Sequence, residues 1–372
     1  MANPIKLCFI IEATIGGTRR HLRDVITSLS DENYELSLIY SNQRDSFFYL
    51  DLELYKQQGV QLFECNMKRG ISIVHDIKAF FQIKKTLKRI KPDIVHAISS
   101  KAGVLGRLVA SAMSIPCIYA PHVFATQMRV SKTKKLLYFL IEKRLVNKTK
   151  ELHCVSSDEV NEAKRLGYVD ENINLIPNGI NVKEYENISF PSDDKVHIAF
   201  VGRFSEQKGV LLLPEIIQTC HDKNVHFHLF GDGEFKKDIE SQCRGMTHVT
   251  FYGQVEDMKT EMHRYHILLH PSLWESHPYT ILENVAAGKT CIVSDKSFEK
   301  SFKLSTKLNY FETSKNIDCI NIINAVLKNL NSQKKIILSE GIKMELSLER
   351  MIEELENVYK GIFFRFTKER FT

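Results

Sequence analysis

Two carboxylates, Glu275 and Glu283, stand with seven residues between them in "HPSLWESHPYTILENVAAG", which also holds the chain's single tryptophan, Trp274. Pro271 and Pro278 forbid one continuous helix there, and "YTILENVAAG" starts a helix after Pro278. Thr280 with Glu283 three residues on fits a capping box, and Gly288 fits the position just past the last helical turn. That structural account covers Glu283; Glu275 has no capping role. The chemical account is a helix start that faces a ligand cleft, with its amides holding an anion and Glu283 a polyol.

A second candidate is "FVGRFSEQKG", in which Arg203 directly follows a strand and Lys208 opens the next helix. Two cations at such a turn suit a diphosphate, because they neutralise a leaving group where helix amides also point. The plainer account is two solvated surface cations. Gly16 and Gly17 form a turn between the first strand and first helix in "EATIGGTRRHL". They serve either the turn itself or a close backbone approach to phosphate or sugar. The pattern is not G-x-G-x-x-G, so the dinucleotide fingerprint is absent. His96 and His122 close the strands "PDIVHAI" and "CIYAPH". Both are either satisfied core residues or groups at the edge of a site. The chain has no Asp-x-Asp, no His-x-x-x-His on a helix, no Walker sequence and no G-x-S-x-G. Side-chain cations rather than Mg²⁺ are therefore expected to face any bound diphosphate.

These residues need strands and helices to place them. The first half alternates the strands "IKLCFII", "YELSLIY", "PDIVHAI", "CIYAPH" and "ELHCVSS" with helical stretches such as "RRHLRDVITSL", "KAGVLGRLVASAM" and "SDEVNEAKRLG". Short apolar strands between helices indicate a parallel sheet covered on both faces. A polar break at "NVKEYENISFPSDDK" precedes a second alternation: "HIAFVG", helical "KGVLLLPEIIQTC", "HFHLFG", "HVTFYG", "HILLH", helical "YTILENVAA" and "TCIVS". Val210, Leu213, Ile216, Ile217 and Cys220 recur at helical spacing and form a core-facing stripe. The expectation is α/β, two Rossmann-like domains facing each other across a cleft, with ligands at the carboxyl ends of the strands. The boundaries are set at 1–190 and 191–351, with a C-terminal helix over about 352–372 returning to the first domain. Residues 296–335 show weak periodicity.

At 372 residues, 43% hydrophobic and 26% charged, the chain is ordinary for a globular protein of two domains. No apolar run approaches a membrane span, and the N-terminal "MANPIKLCFII" reads as a buried strand rather than a leader. Eight cysteines with no Cys-x-x-Cys spacing argue against zinc and for a reduced, cytoplasmic compartment. The net charge of +6 is concentrated in residues 1–190, with 27 Lys and Arg against 20 Asp and Glu. Much of that excess lies in two basic, amphipathic stretches, 75–91 and 128–150. They either cover the sheet with solvated basic faces or dock on anionic lipid at the inner membrane face. No nucleic-acid-binding motif accompanies the charge.

The ordered set "GGT", "KPDIVHAISSKAGVLGRL", "APH", "LIPNGIN", "FVGRFSEQKG", "LFGDGE", "VTFYG", Glu-x7-Glu in "ESHPYTILE" and "LSLERMIEELENVYK" resembles the retaining glycosyltransferases of family four. That resemblance spans nearly the whole chain and implies the GT-B fold and a nucleoside diphosphate sugar donor, with no metal. It also implies that Arg203 and Lys208 clamp the diphosphate, Glu283 binds the ribose and Glu275 contacts the transferred sugar. Backbone amides of Tyr279, Thr280 and Ile281 would hold phosphate and sugar oxygens, and Val255 would lie against the base. Gly16 and Gly17 would approach the donor phosphate, and His122 the transferred sugar and acceptor. The resemblance further implies hexose transfer with retention, as in bacterial O-antigen, capsule or exopolysaccharide assembly. Two departures concern the donor: Ser276-His277-Pro278 replaces the family's glycines, and no G-x-P-E run follows Ser294, where Glu299 is only a loose substitute. Competing readings are a nucleotide-sugar epimerase of the same fold, a degenerate sugar-nucleotide-binding partner subunit, and a nicotinamide dehydrogenase. The glycosyltransferase reading retains every cation and carboxylate the chemistry needs.

Overall fold

A computed structural model describes residues 4–29, 33–45, 47–220, 224–313, 316–329 and 336–371. It divides the chain into two units, 1–177 with 349–372 and 178–348.

In the first unit the elements run β1 (Ile5–Ile11), α1 (Gly16–Leu29), β2 (Tyr34–Tyr40), α2 (Phe48–Gln57), β3 (Gln61–Glu64), α3 (Ile73–Ile90), β4 (Ile94–Ile98), α4 (Ser100–Ala112), β5 (Cys117–Ala120), α5 (Lys132–Leu145), β6 (Glu151–Cys154), α6 (Ser157–Leu166) and β7 (Ile173–Leu175). The strands form one parallel sheet in the order β3-β2-β1-β4-β5-β6-β7. In β1 six of the seven residues are buried, as a strand covered on both faces requires. The order reverses direction between β1 and β4, which makes that pair of strand ends the switch point of the sheet.

The second unit continues with β8 (Val196–Val201), α7 (Leu213–Thr219), β9 (Val225–Phe230), α8 (Lys236–Gln242), β10 (Val249–Gly253), α9 (Met258–Glu261), β11 (Ile267–His270), α10 (Tyr279–Ala286), β12 (Thr290–Ser294), β13 (Leu308–Phe311), α11 (Asn316–Asn329) and α12 (Glu340–Leu346). Its parallel sheet has the order β10-β9-β8-β11-β12-β13, with a core on each face. Val210, Leu213, Ile216, Ile217 and Cys220 all lie in one of those cores. The last helix, α13 (Leu348–Phe371), joins the first unit: Tyr359 Oη lies 2.8 Å from His96 Nδ1, and Arg350 donates to the Pro177 carbonyl at 2.7 Å.

Several expectations change. The division falls at 177/178 rather than 190/191, because Ile180 pairs with Ser347 and donates its amide to Leu346 at 2.7 Å, tying this stretch to the second unit. Gly16 and Gly17 are the first turn of α1, not a separate loop. The helix from Lys208 is interrupted: Glu206–Lys208 and Val210–Leu212 are 3₁₀ turns around Gly209, whose φ is +65°, and α7 begins only at Leu213. His96 lies in the middle of β4, not at its end.

The two basic helices also differ from a simple cover for the sheet. In α3 the buried stripe is Ala79, Ile83 and Leu87, while Ile73, Val74, Ile77 and Phe81 face solvent. In α5 only Glu142 and Leu145 are buried, and Leu136, Leu137 and Leu140 are exposed. The fixed point of α5 is its one acid: Arg107, fully buried over the Tyr119 ring, donates to Glu142 at 2.8 Å.

Candidate functional site

In the second unit the predicted residues gather on the loops that leave β8 and β11. Gly202 donates to the Phe230 carbonyl at 3.0 Å and Phe204 to Asp232 at 2.9 Å, which fixes the half-buried Arg203 at the carboxyl end of β8. The Glu206–Lys208 turn is then locked against the loop after β11. Leu273 donates to Gln207 at 2.8 Å, Gln207 donates to the Trp274 carbonyl at 3.2 Å, and a Cβ on Gly209 would meet the Pro271 oxygen at 1.9 Å. Only glycine tolerates both that approach and a φ of +65°.

This locking brings Lys208 Nζ to 2.5 Å from Glu275 Oε1, with side chains 18% and 9% exposed. His270 Nε2, at the end of β11, stands 3.6 Å from the same oxygen and 3.1 Å from Ser272 Oγ. Burial opposes charge on Glu275, but Lys208 and His270 outweigh it and hold the carboxyl down to about 2. Burial lowers the basicity of His270, against the pull of Glu275. A carboxylate so strongly ionised cannot serve as a proton donor near neutrality; it can accept hydrogen bonds from hydroxyls or stabilise developing positive charge.

Glu283 lies one helix farther on and has a different partner: Tyr185 Oη donates to it at 3.1 Å. The capping box is not formed. Pro278 occupies the N-cap of α10 without a side-chain bond, so Thr280 is already inside the helix and cannot cap it. Gly288, with φ of +75°, does follow the C-cap Ala287. Tyr279 and Ile281 are buried, so what they can offer a ligand is backbone. Asn178 donates to the His277 carbonyl at 2.7 Å and holds the turn before Pro278. Val255 packs against the core beside Tyr252, in the loop after Gly253. The glutamates are thus held by separate groups.

Gly16, Gly17 and His122 belong to the first unit. Gly16 adopts φ of +60°, while His122 and Val123 adopt +45° and +80°, an uncommon pair for residues with a Cβ. The Glu159 carboxylate fixes this turn by accepting from the amides of Val123 at 2.6 Å and Val155 at 2.9 Å. The His122 ring lies 4.5 Å from that of His21 and 6.0 Å from that of His153. Burial pushes His122 down to about 3 and His153 to about 4, so both are neutral imidazoles. Sequence reading missed His270, Tyr185 and Glu159. The first ends "HILLH" and could have been flagged by its place; the other two carry no local signal. Among the described residues no group of His, Cys, Asp or Glu is arranged to hold a metal.

Two parallel-sheet Rossmann-like units, with charged loops at the strand ends of the second, define a GT-B glycosyltransferase. Residues 15–184 match the family model "Glycosyltransferase Family 4" and residues 195–303 match "Glycosyl transferases group 1". The chain belongs to the family 4 glycosyltransferases and is a transferase enzyme. It is 25% identical over 93% of its length, and 94% of the relative's, to the Escherichia coli UDP-Gal:α-D-GlcNAc-diphosphoundecaprenol α-1,3-galactosyltransferase. It is 23% identical over 78% of its length, and 80% of the relative's, to the lipopolysaccharide 1,6-galactosyltransferase of Escherichia coli K12. Among solved structures, Anabaena HepE in complex with UDP and glucose superposes with a TM-score of 0.77 at 16% identity, covering 96% of this chain and 99% of that one. The chain is therefore related to bacterial lipid-linked and lipopolysaccharide galactosyltransferases.

Proposed function

We propose that the protein transfers a hexose, with retention, from a UDP-sugar to a lipid-linked glycan acceptor in the assembly of a surface polysaccharide. The observation that carries this reading is the half-buried Lys208–Glu275 pair, held between the loop after β8 that bears Arg203 and the loop that leads from β11 to α10. On donor binding, Lys208 and Arg203 turn to the diphosphate and stabilise its growing charge as it leaves, with no metal required. Glu275, released from Lys208, accepts from hydroxyls of the transferred sugar, and Glu283 accepts from the ribose. Amides of Tyr279 to Ile281 hold phosphate and sugar oxygens, and Val255 lies against the base. In the first unit, Gly16 and Gly17 approach the donor phosphate and neutral His122 meets the sugar or acceptor. The departing phosphate takes the acceptor hydroxyl's proton, which keeps attack and departure on one face of the sugar. The 1,3-galactosyltransferase relative, whose name carries UDP-Gal and a diphosphoundecaprenol acceptor, supports the donor and acceptor classes.

The test is a thermal-shift panel of UDP-, GDP-, ADP- and dTDP-sugars on wild type and Lys208→Ala. A donor at ~100 times its dissociation constant adds about 2.7 kcal/mol of stability. A shift for UDP-sugars that vanishes in Lys208→Ala supports the reading; no shift with any donor counts against it, and a shift without transfer to any acceptor marks a degenerate sugar-nucleotide-binding subunit. Turnover of the sugar nucleotide without acceptor would mark an epimerase.

An anionic membrane surface is the second partner of this reading. The exposed Leu136, Leu137 and Leu140 of α5 lie among Lys132, Lys134, Lys135, Lys143 and Arg144. No described helix is long and apolar enough to cross a bilayer, so contact would be peripheral. Sedimentation with phosphatidylglycerol vesicles that is unchanged by charge reversal at Lys132, Lys134 and Lys135 would remove this part.

A further inference from the structure

The donor chemistry proposed above gives His270 no task, yet this residue is built into the centre of the Lys208–Glu275 cluster. It ends β11, pairs in register with Val293 of β12 and is 1% exposed. Buried serines fix the backbone on either side of Pro271. Ser297 Oγ donates to the His270 carbonyl at 3.0 Å, and Ser294 Oγ donates to the Ser272 carbonyl. The Pro271 carbonyl in turn rests against Gly209, the residue after Lys208. Imidazole, carboxylate and ammonium are therefore carried on one locked pair of loops.

Nε2 of His270 stands 3.6 Å from Glu275 Oε1 and 3.1 Å from Ser272 Oγ, and Lys208 Nζ contacts that same glutamate oxygen. An ionised carboxylate can only accept, so the ring nitrogen that faces it carries the proton. Nδ1 then keeps its lone pair, and it is buried with no hydrogen-bond partner. The ring is a neutral donor with one unused basic position. Burial opposes a second proton there, Glu275 favours it and Lys208 opposes it; among the described residues these two are the charged groups that act on the ring. Ser272, Ser294 and Ser297, packed around it from the same loop and from β12, are neutral.

The balance changes once Lys208 turns to a diphosphate. Its repulsion no longer acts on the ring, and a carboxylate 9% exposed is left without its cation, an unfavourable state. A proton from solvent relieves it. Histidine, ordinarily near about 6.5 against about 4.3 for glutamate, is the better base of the two.

We propose that His270 is the positioning residue of Glu275: as Lys208 leaves for the donor diphosphate, His270 takes a proton from solvent at Nδ1 and replaces the lysine as the cation facing Glu275. The carboxylate thereby stays ionised and oriented toward the sugar hydroxyls. Donor binding is coupled to the uptake of a proton. This rests on the donor clamp proposed above and assigns its third member.

Two measurements test it. The first needs no donor: histidine-selective NMR of the whole chain, with the His270 signal identified by its loss in His270→Gln. His270 is expected to titrate at higher pH in Lys208→Met than in wild type, and an unchanged titration would overturn the coupling. The second is titration calorimetry of wild type near neutrality with UDP-galactose, UDP-glucose and UDP-N-acetylglucosamine, each in phosphate and in Tris. The diphosphate of these donors is a diester that does not titrate in this range, so any proton exchanged belongs to the protein. The two buffers should reveal an uptake of up to about one proton per donor bound, with affinity rising by up to about tenfold per pH unit as pH falls from 8.5 to 6.5. His270→Gln keeps an N–H for Glu275 but cannot take the charge, so it should bind with less uptake and a flatter profile. Binding without uptake, or the same uptake in His270→Gln, would overturn the proposal. Failure of all three donors to bind would count against the donor clamp itself, whereas the NMR titration judges His270 without them.

Discussion

Lys208 and Glu275 neutralise one another, and their shared removal from solvent sets what happens when one is lost. Lys208→Ala leaves a carboxylate that is 9% exposed without its cation, and is expected to cost about 3–5 kcal/mol of stability. The double variant Lys208→Ala/Glu275→Gln should recover much of that loss in urea denaturation; a double variant as unstable as the single would contradict the pairing. With Lys208 facing it, Glu275 stays ionised down to about 2, so the pH profile of kcat/KM, which reports the free enzyme, should show no acidic limb from this residue between pH 4 and 6. A limb abolished by Glu275→Gln would show the opposite. Both residues were legible in the sequence by type and place, but their pairing was not, because it depends on two loops sixty-seven residues apart being locked together. The partner of Glu283, Tyr185, was hidden for the same reason.

At the scale of elements, strands were easier to read than helix starts. Apolar runs bounded by turns mark buried parallel strands, whereas a helix start depends on caps and on what packs beside it. "KGVLLLPEIIQTC" carries a helical stripe, yet Gly209 breaks it because the Pro271 carbonyl presses on its backbone. Thr280 and Glu283 have capping-box spacing, yet Pro278 starts the helix two residues too early for it. β13 escaped notice because its edge position leaves three of its four residues only partly buried, and the apolar signal is correspondingly weak. The prediction at this scale concerns Gly209→Ala. A Cβ 1.9 Å from the Pro271 oxygen, at φ of +65°, should cost about 3 kcal/mol or more and lower the urea midpoint. Gly245→Ala, with positive φ but open space, should cost about 1 kcal/mol. Equal losses would mean that the loop contact is unimportant.

For the whole molecule, the buried histidines predict how stability follows pH. Burial depresses His96 well below its ordinary value and His153 to about 4, and both are at most 2% exposed. In the unfolded chain each titrates near 6.5, so below that pH the unfolded state binds more protons. Their contribution is therefore intact above about 6.5 and is lost as pH falls toward the folded values. Each costs about 1.4 kcal/mol per pH unit in that window. The melting temperature should fall steeply between pH 6.5 and 5; a flat profile would mean that these imidazoles are solvated. Two α/β units in series were legible from the alternation of strands and helices. Their division at 177/178 was not, because Ile180 joins the second unit through a strand bridge to Ser347, far along the chain.

The eight cysteines are free and buried, four in each unit: Cys8, Cys65, Cys117 and Cys154 in the first, Cys220, Cys243, Cys291 and Cys319 in the second. Burial pushes Cys8, Cys117, Cys291 and Cys319 up to about 12, so these four offer almost no thiolate to an alkylating reagent in the native protein. Modification must then wait for a unit to open, and its rate becomes a clock for that opening. Peptide-resolved labelling would time the two units separately in a single tube, without an introduced probe.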